Sequence, residues 1–136
     1  METYHELIGQ TVADRYEVRS LLGVGGIGAV YLAIQQPLGR EVALKVLHSH
    51  LYSRPGTAAR FLREARAASL LNHPGSVSIY DYGEWGDRHY IAMEFVAGRT
   101  LTSVIATEFP LETRRIAEYI MQLCDVLDVA HEMPLV

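Results

Sequence analysis

Gly23, Gly25 and Gly28 stand in a G-x-G-x-x-G spacing, and Lys45 follows the last of them by 17 positions. Glycines leave backbone N–H groups unshielded, so a loop of this kind can approach phosphate oxygens closely. An ammonium suits the same ligand. It is a compact charge that fits between phosphate oxygens and one carboxylate, where a planar guanidinium has the wrong shape. Lys45 is the only lysine among 12 basic residues, the others being arginine. These residues point to phosphate binding, and their context narrows it. A P-loop needs Lys-Ser/Thr directly after the last glycine, where this chain has Ala29-Val30. A dinucleotide fold needs a helix starting at the loop and an acidic residue about twenty positions on, and neither is present. What is left is a glycine-rich hairpin between antiparallel strands.

Periodicity gives the elements that must position these residues. Stretches 16–22, 29–34 and 41–47 read as three strands, with a turn at Pro37 and Gly39. Pro55-Gly56 breaks the chain, and Thr57 is expected to cap a helix over 57–72. In that helix Ala58, Phe61, Leu62, Ala65 and Ala68 follow helical spacing, while Arg60, Arg63 and Arg66 form a solvated face. Strands over 76–82 and 89–95 follow, joined through Glu84-Trp85-Gly86-Asp87. Helices are expected over 101–106 and 112–131, the second striped by Ile116, Ile120, Leu123, Leu127 and Ala130. Strands first and helices later make an α+β chain of two layers or lobes. Nothing after His131 would cover the stripe, so the chain reads as cut short.

Composition sets outer bounds. The 136 residues suit one domain, and 49% hydrophobic content is enough for a core. A net charge of -4 argues against a dedicated nucleic-acid binder. The single Cys124 excludes an internal disulfide and fits a reduced, cytoplasmic setting. The acidic N-terminus lacks the features of a signal peptide. Residues 20–39 carry no charge, but glycines and Gln35-Gln36-Pro37 interrupt them, so no membrane span is expected. No Cys or His cluster has zinc spacing. His48 and His50 would point to opposite faces of a strand, and His73 and His131 read as structural hydrogen-bonding groups.

Five motifs in order carry a resemblance: Gly23 through Tyr31, Val42-Ala43-Leu44-Lys45, Phe61-Leu62-Arg63-Glu64-Ala65, His73-Pro74 and Met93-Glu94-Phe95-Val96-Ala97-Gly98. From about residue 16 to its end the chain resembles bacterial Ser/Thr protein kinases of the eukaryotic-like type. The resemblance implies a kinase N-lobe, with a five-stranded antiparallel sheet and one main helix, followed by two helices of an incomplete C-lobe. The implied boundaries are an N-terminal extension over 1–15, an ATP-binding lobe over 16–96, and the hinge exit and start of the helical lobe over 97–136.

The resemblance also implies ATP and Mg²⁺ as cofactors. Leu22, Gly23, Val24, Gly25, Gly26, Ile27 and Gly28 would cover the nucleotide, with Leu22, Val30 and Ala43 sandwiching the base and Met93 behind it. Backbone groups of Glu94 and Val96 would bond the adenine edge. Lys45 would meet the α- and β-phosphates, held extended by Glu64. Taken alone, Glu64 reads as an edge carboxylate paired with a neighbour such as Arg60.

Two sequences mimic later kinase motifs. Asp81-Tyr82-Gly83 precedes the expected hinge and reads as a strand end, and Asp87-Arg88-His89 lies in a hairpin turn. The chain contains no His-Arg-Asp and no Asp-Phe-Gly, and its one asparagine, Asn72, ends a helix. Metal ligands and a catalytic aspartate would therefore lie in the part that resembling kinases carry next, and this chain alone is expected to be inactive. Two functions follow: the ATP-binding portion of a protein Ser/Thr kinase, or a non-catalytic nucleotide-binding or self-associating lobe.

Overall fold

The computed structural model describes residues 4–51 and 53–133. It forms two units: the described residues up to Leu70 with Val77–Phe95, and Leu71–Ser76 with the described residues from Val96 on. The first holds the strands Thr11–Val12 (β1), Tyr16–Val24 (β2), Gly28–Gln35 (β3), Arg40–Leu47 (β4), Ile79–Trp85 (β5) and Arg88–Glu94 (β6), and the helix Thr57–Leu70 (α1). They make one antiparallel sheet in the order β1-β2-β3-β4-β6-β5. The strand added to the five expected is β1. At two residues it is too short for alternation to announce it.

The register sorts the sheet into two faces, because directly paired residues share a face. Ala29, Tyr31 and Ala33 of β3, Val42, Leu44 and Val46 of β4, and Tyr90 and Ala92 of β6 form a buried core with Val12, Tyr16 and Val18. Leu7, in a 3-10 turn at Tyr4–Leu7, is part of it. The stretch expected as an N-terminal extension thus contributes Leu7 and Val12 to the core. The opposite face carries Val30 and Leu32, Ala43, Lys45 and Leu47, and Ile91 and Met93. Helix α1 covers part of it, as Phe61 and Ala65 pack with Leu47, Leu51 and Ile91.

Local details correct two expectations. The first helical bond of α1 runs from the Arg60 N–H to the Gly56 carbonyl at 2.9 Å. Gly56, at φ +82°, therefore holds the capping position expected of Thr57, in a conformation glycine tolerates. Strand β4 ends at Leu47, and Ser49–Leu51 is a 3-10 turn. His48 and His50 consequently stack, with ring centroids 5.3 Å apart, instead of pointing to opposite faces.

In the second unit Leu101–Glu108 (α2) and Thr113–His131 (α3) are helices. Thr100 caps α2, its side-chain oxygen accepting from the Ser103 N–H at 3.1 Å. Glu108 at the end of α2 accepts from Arg99 and from Arg115 of α3. His73 Nδ1 accepts from the Gly75 N–H at 2.8 Å, a structural role as expected. The stripe on α3 is open, with Ile116, Ile120, Leu123 and Leu127 all 42–55% exposed.

Candidate functional site

The hairpin between β2 and β3 is the glycine-rich segment. Gly25 N–H donates to the Gly28 carbonyl at 2.8 Å, which closes the turn. A side chain on Gly28 would put its Cβ 2.4 Å from the Val46 carbonyl oxygen of β4, so this position is glycine because of close backbone approach. Around Gly23 and Gly26 a Cβ would meet nothing within 4 Å, leaving open space above the backbone. Val24 and Ile27 are exposed at the tip. Leu22 is the extra residue of a bulge between the pairs Leu21↔Tyr31 and Gly23↔Val30, and it too is exposed.

Beneath this hairpin the register brings the expected residues onto one face. Val30 pairs with Lys45, Lys45 with Ile91, and Ala43 with Met93. Lys45 is half-buried between Ala43, which is buried, and Leu47, which packs against α1. A hollow of about 560 Å³ lies between the glycine turn and α1, lined by Gly26, Ile27, Leu47, Phe61, Arg60 and Glu64 among others.

Glu64 is not joined to Lys45. Among the described residues no ion pair or hydrogen bond links them, and the Glu64 carboxylate instead accepts from Arg60 Nε at 3.0 Å one helical turn away. Both side chains are largely exposed, as the i,i+4 spacing on a wet helix face allows. Glu94 also has work the sequence did not reveal. Its N–H donates to the Ser78 carbonyl at 2.8 Å, and its carboxylate accepts from the Ser78 N–H at 3.1 Å. Val96 belongs to the second unit and is exposed.

The two mimics have structural roles. Asp81 lies in β5 and accepts hydrogen bonds from Tyr16 and Tyr90, while Asp87 sits in the turn before β6. Among the described residues no group of three or more His, Cys, Asp or Glu could hold a metal ion.

The protein kinase domain family matches residues 16–136. The chain belongs to the protein kinase family. This kinase chain is 45% identical over 127 residues to the serine/threonine-protein kinase pkn3 of Myxococcus xanthus, covering 93% of the chain and 23% of that protein. It is 42% identical to the serine/threonine-protein kinase PknB of Mycolicibacterium smegmatis, covering 90% of the chain and 20% of the relative. Among solved structures it resembles the Mycobacterium tuberculosis PknI kinase domain, with a TM-score of 0.77 and 32% identity over 91% of this chain and 50% of that one. The kinase chain thus spans about a fifth of the length of these curated relatives and about half of the solved kinase domain. No helix among its described residues is long and apolar enough to cross a membrane.

Proposed function

We propose that this chain is the ATP-binding portion of a protein Ser/Thr kinase. The observation that carries the reading is the register, which sets Val30, Ala43, Lys45 and Met93 on one sheet face beneath an open glycine turn. In this reading residues 16–96 form the nucleotide lobe and 97–136 begin the helical lobe, in a cytoplasmic setting. Leu22, Val30 and Ala43 hold the base against Met93, and backbone groups of Glu94 and Val96 take its edge. The backbone of Gly23, Val24, Gly25, Gly26, Ile27 and Gly28 covers the phosphates.

ATP supplies the γ-phosphoryl group that the full kinase transfers to protein Ser/Thr hydroxyls. Lys45 meets the phosphates as a fixed positive charge, and Glu64 must leave Arg60 to hold it. An exposed i,i+4 pair contributes only about 0.3–0.5 kcal/mol, so this exchange costs little. No acidic cluster among the described residues fits Mg²⁺. Titration calorimetry with Mg·ATP tests the reading. Measurable binding that Lys45→Met abolishes supports it, while binding indifferent to that change, or none at all, overturns it. Phosphotransfer by this chain alone is expected to be negligible.

The open stripe on α3 favours a second reading, a non-catalytic lobe that pairs with another copy. A concentration-dependent mass in light scattering that survives Lys45→Met would favour it. A monomer at high concentration would remove it.

A further inference from the structure

The glycine turn is held by one residue, His48, from the core side of the sheet, where the ring of Tyr4 packs. His48, just past β4, is buried at 7% exposure. Its backbone N–H donates to the Ile27 carbonyl at 3.0 Å, and its ring Nε2 lies 2.8 Å from the Gly25 carbonyl oxygen. A carbonyl oxygen only accepts, so Nε2 carries the proton and donates. The ring is fixed in turn: it stacks on His50, and the Tyr4 ring centroid lies 5.5 Å from its own. Tyr4 is itself tied down, its carbonyl accepting from the Tyr31 hydroxyl at 2.9 Å.

We infer that His48 is a positioning residue that clamps the glycine turn into its phosphate-receiving shape. The two carbonyls it holds belong to the peptide planes 25–26 and 27–28. In a trans peptide the N–H points opposite to the C=O. Drawing both carbonyls down to His48 therefore directs the N–H groups of Gly26 and Gly28 away from it. Glycine gives a turn of this kind wide conformational freedom, and without the clamp that freedom would be lost again on binding a ligand. The ligand class is the polyphosphate of a nucleotide, so the inference rests on the function proposed above. The nucleoside part of the ligand makes no use of His48.

The test compares the 136-residue chain with His48→Leu, which keeps an apolar ring-sized volume but no donor, and His48→Gln, whose terminal amide N–H reaches toward the same carbonyl. Affinities for Mg·ATP and for adenosine are measured, together with hydrogen exchange of the amides of residues 24–28. His48→Leu is expected to weaken ATP about 2- to 10-fold, the range of one net hydrogen bond. Adenosine binding should hold, exchange across the turn should speed up by a similar factor, and His48→Gln should restore most of both. Should the leucine variant not fold, His48→Asn, whose amide is too short to reach Gly25, takes its place. Equal weakening of ATP and adenosine would reduce His48 to general packing and overturn the inference. Unchanged exchange, or unchanged ATP affinity, would overturn it as well. If the unmodified chain binds no ATP, the proposed function falls with the phosphate role, while the exchange data still decide whether His48 holds the turn.

Discussion

The Tyr16 hydroxyl donates to the Asp81 carboxylate at 2.9 Å, joining residues 65 positions apart in sequence. In the sheet order β3, β4 and β6 lie between their strands, so this bond spans a sheet that curls back on itself. Tyr90 donates to the same carboxylate oxygen at 3.2 Å, and Arg15 approaches it at 3.4 Å. Tyr16 is fully buried, so losing the acceptor would strand its hydroxyl. Asp81→Ala is expected to cost about 2–3 kcal/mol and Tyr16→Phe about 1 kcal/mol, the latter discounted because Asp81 is partly exposed. A double-mutant cycle followed by urea unfolding checks this. Strict additivity of the two changes would show that the bond contributes nothing.

The same contact has a pH signature. Burial first, and then the hydrogen bond to Asp81, push the Tyr16 phenol above its ordinary value near 10. The folded state therefore keeps a proton that the unfolded chain releases in alkali. The stability from this group is fully present below about pH 10 and falls as pH rises toward the higher folded value. Tyr90 is raised as well, by burial first, then by the negative charge of Asp81 and last by its hydrogen bond to that carboxylate. Thermal melts from about pH 8 to 11 should show an alkaline loss that Tyr16→Phe flattens. An identical slope in the variant would contradict the assignment.

Much of this was legible in the sequence because apolar alternation and glycine punctuation are local signals. The three strands around the glycine hairpin, α1 and the long α3 lie where periodicity places them, within a few residues. The face shared by Val30, Ala43, Lys45 and Met93 follows from strand parity once the strands are paired. What escaped was tertiary. Strand β1 is two residues long, and Leu7 joins the core from a 3-10 turn, so neither leaves a periodic trace. By alternation His48 reads as a strand residue opposite in face to His50, and only the chain's bend after Leu47 turns its ring toward Gly25. The Arg60–Glu64 pair was readable from i,i+4 spacing, whereas the Lys45–Glu64 pair that the family implies depends on a side-chain exchange no spacing can report.

Glu108 gives the second unit an acid limb. Its hydrogen bond from Arg115 first, and that from Arg99 second, hold its carboxyl below the ordinary carboxylate range. The stability it contributes is present above the unfolded value near 4.5 and is lost as pH falls through the lower folded value. Glu108→Gln keeps the shape and removes the titration. Melts from about pH 6 to 3 should then show a shallower acid decline than the unmodified chain, and parallel curves would refute a stabilising role for the Arg99 and Arg115 bonds to Glu108.

The α3 stripe should govern behaviour in solution. Ile120 and Leu127 are about half exposed, so charged replacements lose little packing. Ile120→Lys with Leu127→Lys is expected to shift stability by less than about 1 kcal/mol, as surface changes do. It should also abolish any concentration-dependent association seen in sedimentation equilibrium. Association that persists in the double variant would assign it to another surface.

Two glycines of the same turn should respond differently to alanine. At Gly28 the added Cβ would sit 2.4 Å from the Val46 carbonyl oxygen, a backbone atom fixed in β4 that cannot move without breaking the β3–β4 ladder. Gly28→Ala is therefore expected to destabilise the fold by about 1–3 kcal/mol, the usual cost of overpacking. At Gly26 a Cβ meets nothing within 4 Å, so Gly26→Ala should leave the melting temperature nearly unchanged. Its methyl would instead occupy the open space beside the turn, where the proposed phosphates lie. Mg·ATP affinity should fall in Gly26→Ala while adenosine affinity holds, measured on chains shown by circular dichroism to be folded. A Gly26→Ala chain that binds ATP as well as the unmodified one would place the phosphates elsewhere. A Gly28→Ala chain of undiminished stability would mean that β3 and β4 part at this end more easily than their hydrogen-bonded register suggests.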